Sequence, residues 1–120
     1  MINIDSDTKK IIENNPIAFS TIDSNNKPNV IAVAYVKVIS DNQILITDNY
    51  MQQTKENLLL NNNVCLAVWD KDWNGYKISG TAKYFIEGEW KKYVENMTEN
   101  KGLSAKGAIL IDISEITKLS

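Results

Sequence analysis

Three strand-like segments separated by short polar turns lie in the first half of the chain, and their spacing limits the possible folds. Residues 17–22 (IAFSTI) alternate apolar and polar side chains, and residues 30–39 (VIAVAYVKVI) are rich in β-branched residues. Residues 43–47 (QILIT) follow after a turn at residues 40–42. Parallel strands need crossover connections of a dozen or more residues, which these turns are too short to provide. We therefore predict antiparallel pairing and not a doubly wound α/β fold.

The second half of the chain adds three more predicted strands, at residues 64–70, 76–86 and 108–113. Gly80 lies inside the second of these, where a glycine marks a bulge or a close backbone approach. Six strands in a chain of this length favour one small, mainly antiparallel barrel, because closure removes exposed strand edges.

Two segments carry helical signals outside the strands. Residues 5–15 predict a short helix that is capped by Asp5 or Ser6 and stopped by Pro16. Residues 87–100 change to a helical period. The apolar stripe of this second helix consists of Trp90, Tyr93, Val94 and Met97. We interpret this stripe as part of the core and the two helices as flanking elements.

The connection between the third strand and the next helix is the first candidate site. After the strand, Thr47, Asp48 and Asn49 form a polar corner, and Asn49 with Gln52 three residues later fits a capping box. A helix start presents free N–H groups and the positive end of the helix dipole, which suits a phosphate. An ordinary strand–turn–helix connection without any anion fits the same residues, so both interpretations stay open.

Composition and charge exclude several classes of function. The 13 basic and 15 acidic residues are dispersed and give a net charge of −2, so neither nucleic acid nor an acidic membrane is an expected partner. The N-terminus lacks the pattern of a secretion signal and no apolar run reaches membrane-spanning length, so we expect a cytoplasmic protein. The lone Cys65 cannot form a disulfide within the chain.

The chain contains no histidine, and this limits the kinds of catalytic and metal sites that we expect. Histidine is the commonest general base and the commonest metal ligand, so we expect neither a serine or cysteine triad nor a metal site. The acidic residues show no spacing that would force two carboxylates together. Any redox or transfer chemistry must therefore come from a cofactor.

Four segments together resemble one family. In order from Ile17 to Ile116 they read IAFSTIDSNNKPNVIAVAYVKV, ILITDNYMQQTKENLLLNNNVCLAVWD, YKISGTAKYF and AILIDISEI. They are similar to the FMN-binding split-barrel proteins related to pyridoxamine 5′-phosphate oxidase, in their minimal FMN-binding form. The resemblance implies a mainly β, six-stranded antiparallel split β-barrel with short flanking helices. It also implies one domain over residues 1–120 and a homodimer with FMN at the interface.

The resemblance implies a set of cofactor-binding residues and assigns no catalytic residue. They are Thr47, Asp48, Asn49, Gln53 and Thr54 around the phosphate, Ile31, Ala32, Val33 and Ala34 along the isoalloxazine ring, and Trp69, Tyr76, Lys77 and Lys106 from the partner subunit. The larger oxidases carry a basic pair where this chain has Gln53 and Thr54. Only Lys55 is near in sequence, so this departure implies either weaker FMN binding or a shift of the charge balance onto Lys106 of the partner subunit.

The implied function is that of a flavin-dependent oxidoreductase or electron carrier with an unknown small-molecule or protein redox partner. The short segment after Ile116 lacks the part with which the oxidases hold pyridoxal phosphate substrates, so we do not expect genuine pyridoxamine 5′-phosphate oxidase activity. An alternative is a non-catalytic binding module that uses the same dimer-interface cleft for a deazaflavin or haem. A third is a structural dimer with a degenerate pocket. The three tryptophans, Trp69, Trp73 and Trp90, favour an isologous interface in each case.

Overall fold

The computed structural model describes residues 2–119 and contains one seven-stranded antiparallel sheet with three flanking α-helices in that range. In chain order the elements are α1 Ser6–Asn14, β1 Ile17–Ile22, β2 Pro28–Val33, β3 Val36–Ser40, β4 Gln43–Asp48, α2 Gln53–Leu60, β5 Asn63–Trp69, β6 Gly75–Phe85, α3 Glu89–Glu95 and β7 Gly107–Lys118. The strand order is β2-β1-β5-β6-β7-β4-β3. Every pairing is antiparallel, as predicted.

The predicted strand count of six is wrong, because the predicted strand at residues 30–39 is two strands. Strand β2 ends at Val33 and β3 begins at Val36, and these strands lie at opposite ends of the sheet. Seven strands laid flat would put the end strands about 29 Å apart, whereas three residue steps reach at most about 11 Å. The sheet must therefore curl, and the break at Ala34 and Tyr35 lets the chain cross from one end to the other.

The curled sheet is not closed by hydrogen bonds, so the closure expected from the sequence is also wrong. Within residues 2–119, strand β2 pairs only with β1, and β3 pairs only with β4. Helix α1 covers part of the open β3 edge, since Glu13 Oε2 accepts a hydrogen bond of 2.8 Å from Val38 N–H. The mainly β class and the flanking helices are confirmed, and the barrel is split along the line between β2 and β3.

All seven strands contribute to one buried core, which is the result expected of a curled sheet. The fully or nearly fully buried members of this cluster on the strands are Ile17, Phe19, Val33, Val36, Ile44, Ile46, Val64, Leu66, Val68, Ile78, Ala82, Ile109, Ile111 and Ile113. A second cluster lies on the outer face of β4 and β7, where Leu45 and Leu110 pack with Val94 and Met97. This second cluster fixes α3 and the chain that follows it above the end of β4.

The helix boundaries refine the sequence prediction. Asp5 is the N-cap of α1, and its side chain accepts a hydrogen bond of 2.8 Å from Thr8 N–H. The predicted helix over residues 87–100 is shorter in the structure: α3 ends at Glu95, and a single 3₁₀ turn follows at Thr98–Asn100. Val94 and Met97 are buried as predicted, whereas Tyr93 is 43% exposed.

Gly80 is placed as the sequence predicted, at an irregularity of the sheet. The register of β6 against β7 shifts between Ser79 and Gly80. A Cβ atom at Gly80 would lie 2.2 Å from the backbone oxygen of Asp112, so no side chain fits there unless the strands move apart.

We expect Gly80→Ala to lower the free energy of unfolding by about 2 kcal/mol, the scale of other overpacking substitutions. Urea denaturation at one protein concentration measures the change. Ser79→Ala on the same strand is the control and should change stability by less than about 0.5 kcal/mol. A Gly80→Ala variant as stable as this control would show that the two strands separate at little cost.

Among the described residues, no helix is long and apolar enough to cross a membrane.

Candidate functional site

The corner between β4 and α2 is built differently from the capping box that the sequence predicted. Helix α2 begins at Gln53, its N-cap is Gln52, and the Gln52 side chain makes no capping hydrogen bond. The predicted N-cap Asn49 is therefore wrong. Instead, Asp48 Oδ1 accepts a hydrogen bond of 2.8 Å from Met51 N–H and folds the corner back on the end of β4. The first N–H groups of α2 are left without a capping side chain.

Asp48 is the centre of a buried network behind the corner. Its side chain is fully buried and accepts a hydrogen bond from the Tyr84 hydroxyl of β6. Burial, together with the hydrogen bond to Asp48, raises the pKa of Tyr84, so the phenol stays protonated as a donor. Lys106 Nζ lies 3.9 Å from Asp48 Oδ1 and donates to the Met51 carbonyl. Three groups from different parts of the chain therefore hold one carboxylate in place.

A cavity of about 430 Å³ opens in front of this corner, a size typical of small-molecule sites. Its walls come from β2, the β2–β3 connection, the corner, the start of α2 and the turn after α3. The residues that line it are Asn29, Ile31, Ala32, Val33, Ala34, Tyr35, Thr47, Asn49, Tyr50, Met51, Gln52, Gln53, Thr54, Asn100 and Leu103. None of them is charged, so the cavity joins an apolar floor to a neutral polar rim.

The structure brings eight of the thirteen predicted cofactor residues to this cavity. They are Ile31, Ala32, Val33, Ala34, Thr47, Asn49, Gln53 and Thr54. Asp48 lies behind the lining, in the buried network. Trp69, Tyr76 and Lys77 do not line the cavity and lie instead on the β5–β6 hairpin, where Val68 pairs with Tyr76. Their role in the partner's site stays a prediction.

Lys106 lies closer to its own chain's site than the sequence suggested. Its backbone N–H donates to the Asp48 carbonyl at 2.7 Å, and its ammonium group reaches the Met51 carbonyl. Lys55, the other candidate cation, places its ammonium group 5.3 Å from the centroid of the Tyr84 ring. Of these two lysines, the one that contacts the corner comes from the segment before β7.

Asn100 was not predicted from the sequence, and its side chain forms part of the polar wall of the cavity. Its side chain is buried, and Nδ2 donates to Thr47 Oγ1 and to the Val94 carbonyl, both at 2.9 Å. Because a carbonyl can only accept, this contact fixes the Asn100 amide and turns its Oδ1 toward Asn49 Nδ2 at 3.4 Å. Asn100 lies in an irregular segment without a motif, so nothing local in the sequence marks it.

An ion pair holds the turn that carries Asn100. Lys37 Nζ of β3 lies 2.6 Å from Glu99 Oε2, with both side chains about one-third exposed. The hydrogen bond from Lys37 lowers the pKa of Glu99, and the same contact raises the pKa of Lys37. An exposed pair of this kind adds little stability, and it links β3 to the turn beside the cavity.

Two buried polar atoms without partners also lie on residues of the cavity wall. Among the described residues, the buried side-chain nitrogen and oxygen atoms that lack a hydrogen bond are Asn29 Nδ2 and Asn49 Oδ1. Leaving such a group unpaired costs about 1–3 kcal/mol. One unpaired donor and one unpaired acceptor therefore lie on residues of the same cavity wall.

Comparison of the sequence with known protein families identifies the family of this chain. The profile of the family described as pyridoxamine 5′-phosphate oxidase matches residues 4–120. The chain belongs to this family. An uncharacterized protein of Methanocaldococcus jannaschii is 32% identical over 123 residues, which cover 99% of this chain and 83% of that protein. The resemblance seen in the sequence is therefore confirmed.

Solved structures of this family's fold agree with the architecture. HupZ of Group A Streptococcus superposes with a TM-score of 0.90 at 23% identity and covers 97% of this chain and 94% of its own. An FMN-binding protein of Syntrophomonas wolfei superposes with a TM-score of 0.77 at 22% identity and covers 94% of this chain and 84% of its own. At these identities the likeness concerns the fold alone.

Proposed function

We propose that the cavity binds FMN and that this family member is a flavin-dependent oxidoreductase or electron carrier. The observation that carries the proposal is the division of the cavity into an apolar strand floor and a neutral polar rim at an uncapped helix start. The Syntrophomonas protein of the same fold is an FMN-binding protein. When bound, FMN would supply hydride or electron transfer, which no residue type of this chain provides alone.

The floor of the cavity suits the isoalloxazine ring. Ile31, Ala32 and Val33 of β2 form one side of it, and Met51 and Leu103 add further apolar surface. A flat aromatic ring gains most from a surface of this kind, because its faces leave water without losing hydrogen bonds. These residues would bind and orient the ring.

The rim at the start of α2 suits the phosphate. Gln53 and Thr54 line the cavity in the first turn of the helix, whose N–H groups have no capping side chain. Thr54 is 2% exposed, so its hydroxyl is held in place by packing. Free N–H groups, a hydroxyl and the helix dipole together bind an anion without a basic residue in the wall.

The unpaired amide atoms fit a ligand that both donates and accepts hydrogen bonds. Asn49 Oδ1 requires a donor and Asn29 Nδ2 requires an acceptor. The polyol chain and the imide edge of a flavin carry both kinds of group, and a deazaflavin shares them. Haem offers no free donor besides protonated carboxyl groups, and this chain has no histidine to ligate its iron. The cavity therefore favours the flavin class over haem.

We further propose that two copies pair and complete each other's flavin sites. At the tip of the β5–β6 hairpin, Trp69 and Trp73 stack with ring centroids 6.4 Å apart and are 39% and 76% exposed. Val30 and Tyr35, near the cavity, are 63% and 44% exposed. Large apolar groups exposed in this way are typical of an interface. Light scattering should give the mass of a dimer at micromolar concentration, and a monomer mass would contradict the shared site.

A flavin titration tests the proposed cofactor. Protein added to FMN should quench the flavin fluorescence to saturation, and FMN should raise the melting temperature because it binds only the folded state. Parallel titrations with a deazaflavin and with haem separate the alternatives. Protein that stays colourless after incubation with excess FMN and desalting, with no quenching, would refute the flavin assignment.

A further inference from the structure

We infer that Lys106 selects phosphorylated over unphosphorylated flavins and that it does so in the cavity of its own chain. This inference rests on the proposed FMN function and assigns the specificity for the ligand's dianionic end to one side chain. No described residue that lines the cavity is charged, so we assign any direct ionic preference for a phosphate to a residue just outside it.

Lys106 is a cation in direct contact with the corner. Its Nζ donates to the carbonyl of Met51, a lining residue two positions before the start of α2 at Gln53. The side chain is 41% exposed, so the ammonium group can exchange this carbonyl for an incoming phosphate. Lys55 follows Thr54 in the helix, but its ammonium group lies over the Tyr84 ring.

The sheet fixes Lys106 to its own chain's corner. Its backbone N–H bonds to the Asp48 carbonyl at 2.7 Å, and the next residue, Gly107, pairs with Asp48 in the ladder between β4 and β7. Both ends of this contact belong to one chain, and Asp48 and Gly107 beside it are buried in one sheet. The position of Lys106 beside the corner therefore does not depend on a second subunit.

Asp48 limits how strongly Lys106 favours FMN over riboflavin. Its buried carboxylate lies 3.9 Å from Lys106 Nζ and cancels part of the lysine's charge when no ligand is bound. A phosphate must compete with this carboxylate and with the Met51 carbonyl for the ammonium group. We therefore expect a moderate preference for FMN over riboflavin, about tenfold from Lys106, which is the scale of one charge-assisted hydrogen bond.

The test compares FMN with riboflavin, which has the same ring and polyol but no phosphate. Lys106→Met should weaken FMN binding about tenfold and change riboflavin binding less than twofold, and Lys106→Arg should retain most of the preference. Asp48→Asn should act in the opposite direction and raise the ratio of FMN to riboflavin affinity. Lys10→Met, which removes an exposed lysine of α1, is the charge-matched control.

Each outcome separates this inference from the proposed function. Equal losses for FMN and riboflavin, or no loss for either, would overturn the role of Lys106 while flavin binding itself stands. Failure of the unaltered protein to bind either flavin would overturn the proposed function and this inference together. If Lys106→Met does not fold, the double variant Lys106→Met/Asp48→Asn removes both charges of the pair. Its ligand ratio is then compared with that of Asp48→Asn.

Mixed dimers decide which chain supplies the lysine. One chain carries Lys106→Met, and the other carries Ala32→Trp, which fills its cavity. The remaining open cavity then lacks its own Lys106 but faces the intact Lys106 of the other chain. Its FMN affinity should stay low, as in the Lys106→Met homodimer. Recovery of the original FMN affinity would show that the lysine acts across the interface and would overturn the assignment to the same chain.

Discussion

Asp48→Ala is expected to lower the free energy of unfolding by about 3 kcal/mol, because it leaves several buried donors without their shared acceptor. The carboxylate is fully buried and accepts hydrogen bonds from Met51 N–H and the Tyr84 hydroxyl. It is also the anionic partner of Lys106. Because these groups come from the corner, β6 and the segment before β7, the substitution should loosen all three at once.

Urea denaturation measures this loss, with all variants at one protein concentration since dimerisation would contribute to stability. Asp48→Asn keeps an acceptor for Met51 N–H and should cost about 1 kcal/mol. Asp7→Ala, at an exposed position in the first turn of α1, is the control and should change stability by less than about 0.5 kcal/mol. If Asp48→Ala matched Asp7→Ala, the buried network would not hold the corner together.

The strands were predictable from the sequence because each one carries its own signal. Residues 17–22 alternate and residues 64–69 run apolar, and the turns between the early strands allow only antiparallel pairing. Gly80 was predictable for the same reason, since a glycine inside a strand usually marks a bulge or a close approach of two backbones. Local patterns therefore carry the class of fold and the antiparallel direction of the pairings.

The break between β2 and β3 was not predictable from local sequence. The run VIAVAYVKVI contains neither glycine nor proline, and Ala34 and Tyr35 have no feature that ends a strand. The break follows from the path of the whole sheet, which requires the chain to pass from one end of the strand order to the other. No property of these two residues by themselves carries that information.

In the candidate site, the corner between β4 and α2 was likewise not predictable from local sequence. Asn49 with Gln52 fits a capping box, but the neighbouring Asp48 is buried and takes the Met51 N–H. Burial of that carboxylate is sustained by Tyr84, which lies 36 positions away in sequence. A capping motif takes only nearby residues into account. It therefore did not predict that Asp48 is the acceptor at this corner. Asn100 was missed for the same reason, since its partners Thr47 and Val94 meet it only in the folded chain.

Of the substitutions considered, one at Ala32 is expected to weaken FMN binding most. This residue is exposed in β2 and forms part of the apolar floor of the cavity. We expect Ala32→Trp to weaken FMN binding at least about a hundredfold, because the indole would occupy the space assigned to the isoalloxazine ring and a packed site has no room for both. Quenching of flavin fluorescence measures the affinity.

The fold should survive the Ala32→Trp substitution, because the new side chain enters an open cavity and not the core. The melting temperature without ligand should therefore stay within a few degrees of that of the unaltered protein. Thr81→Trp is the matched control, since Thr81 is exposed on β6 and does not line the cavity. It adds the same bulk to a strand and should leave FMN affinity unchanged. An Ala32→Trp variant that is folded and binds FMN within about threefold of the control would place the flavin elsewhere, because an occupied floor cannot also hold the ring.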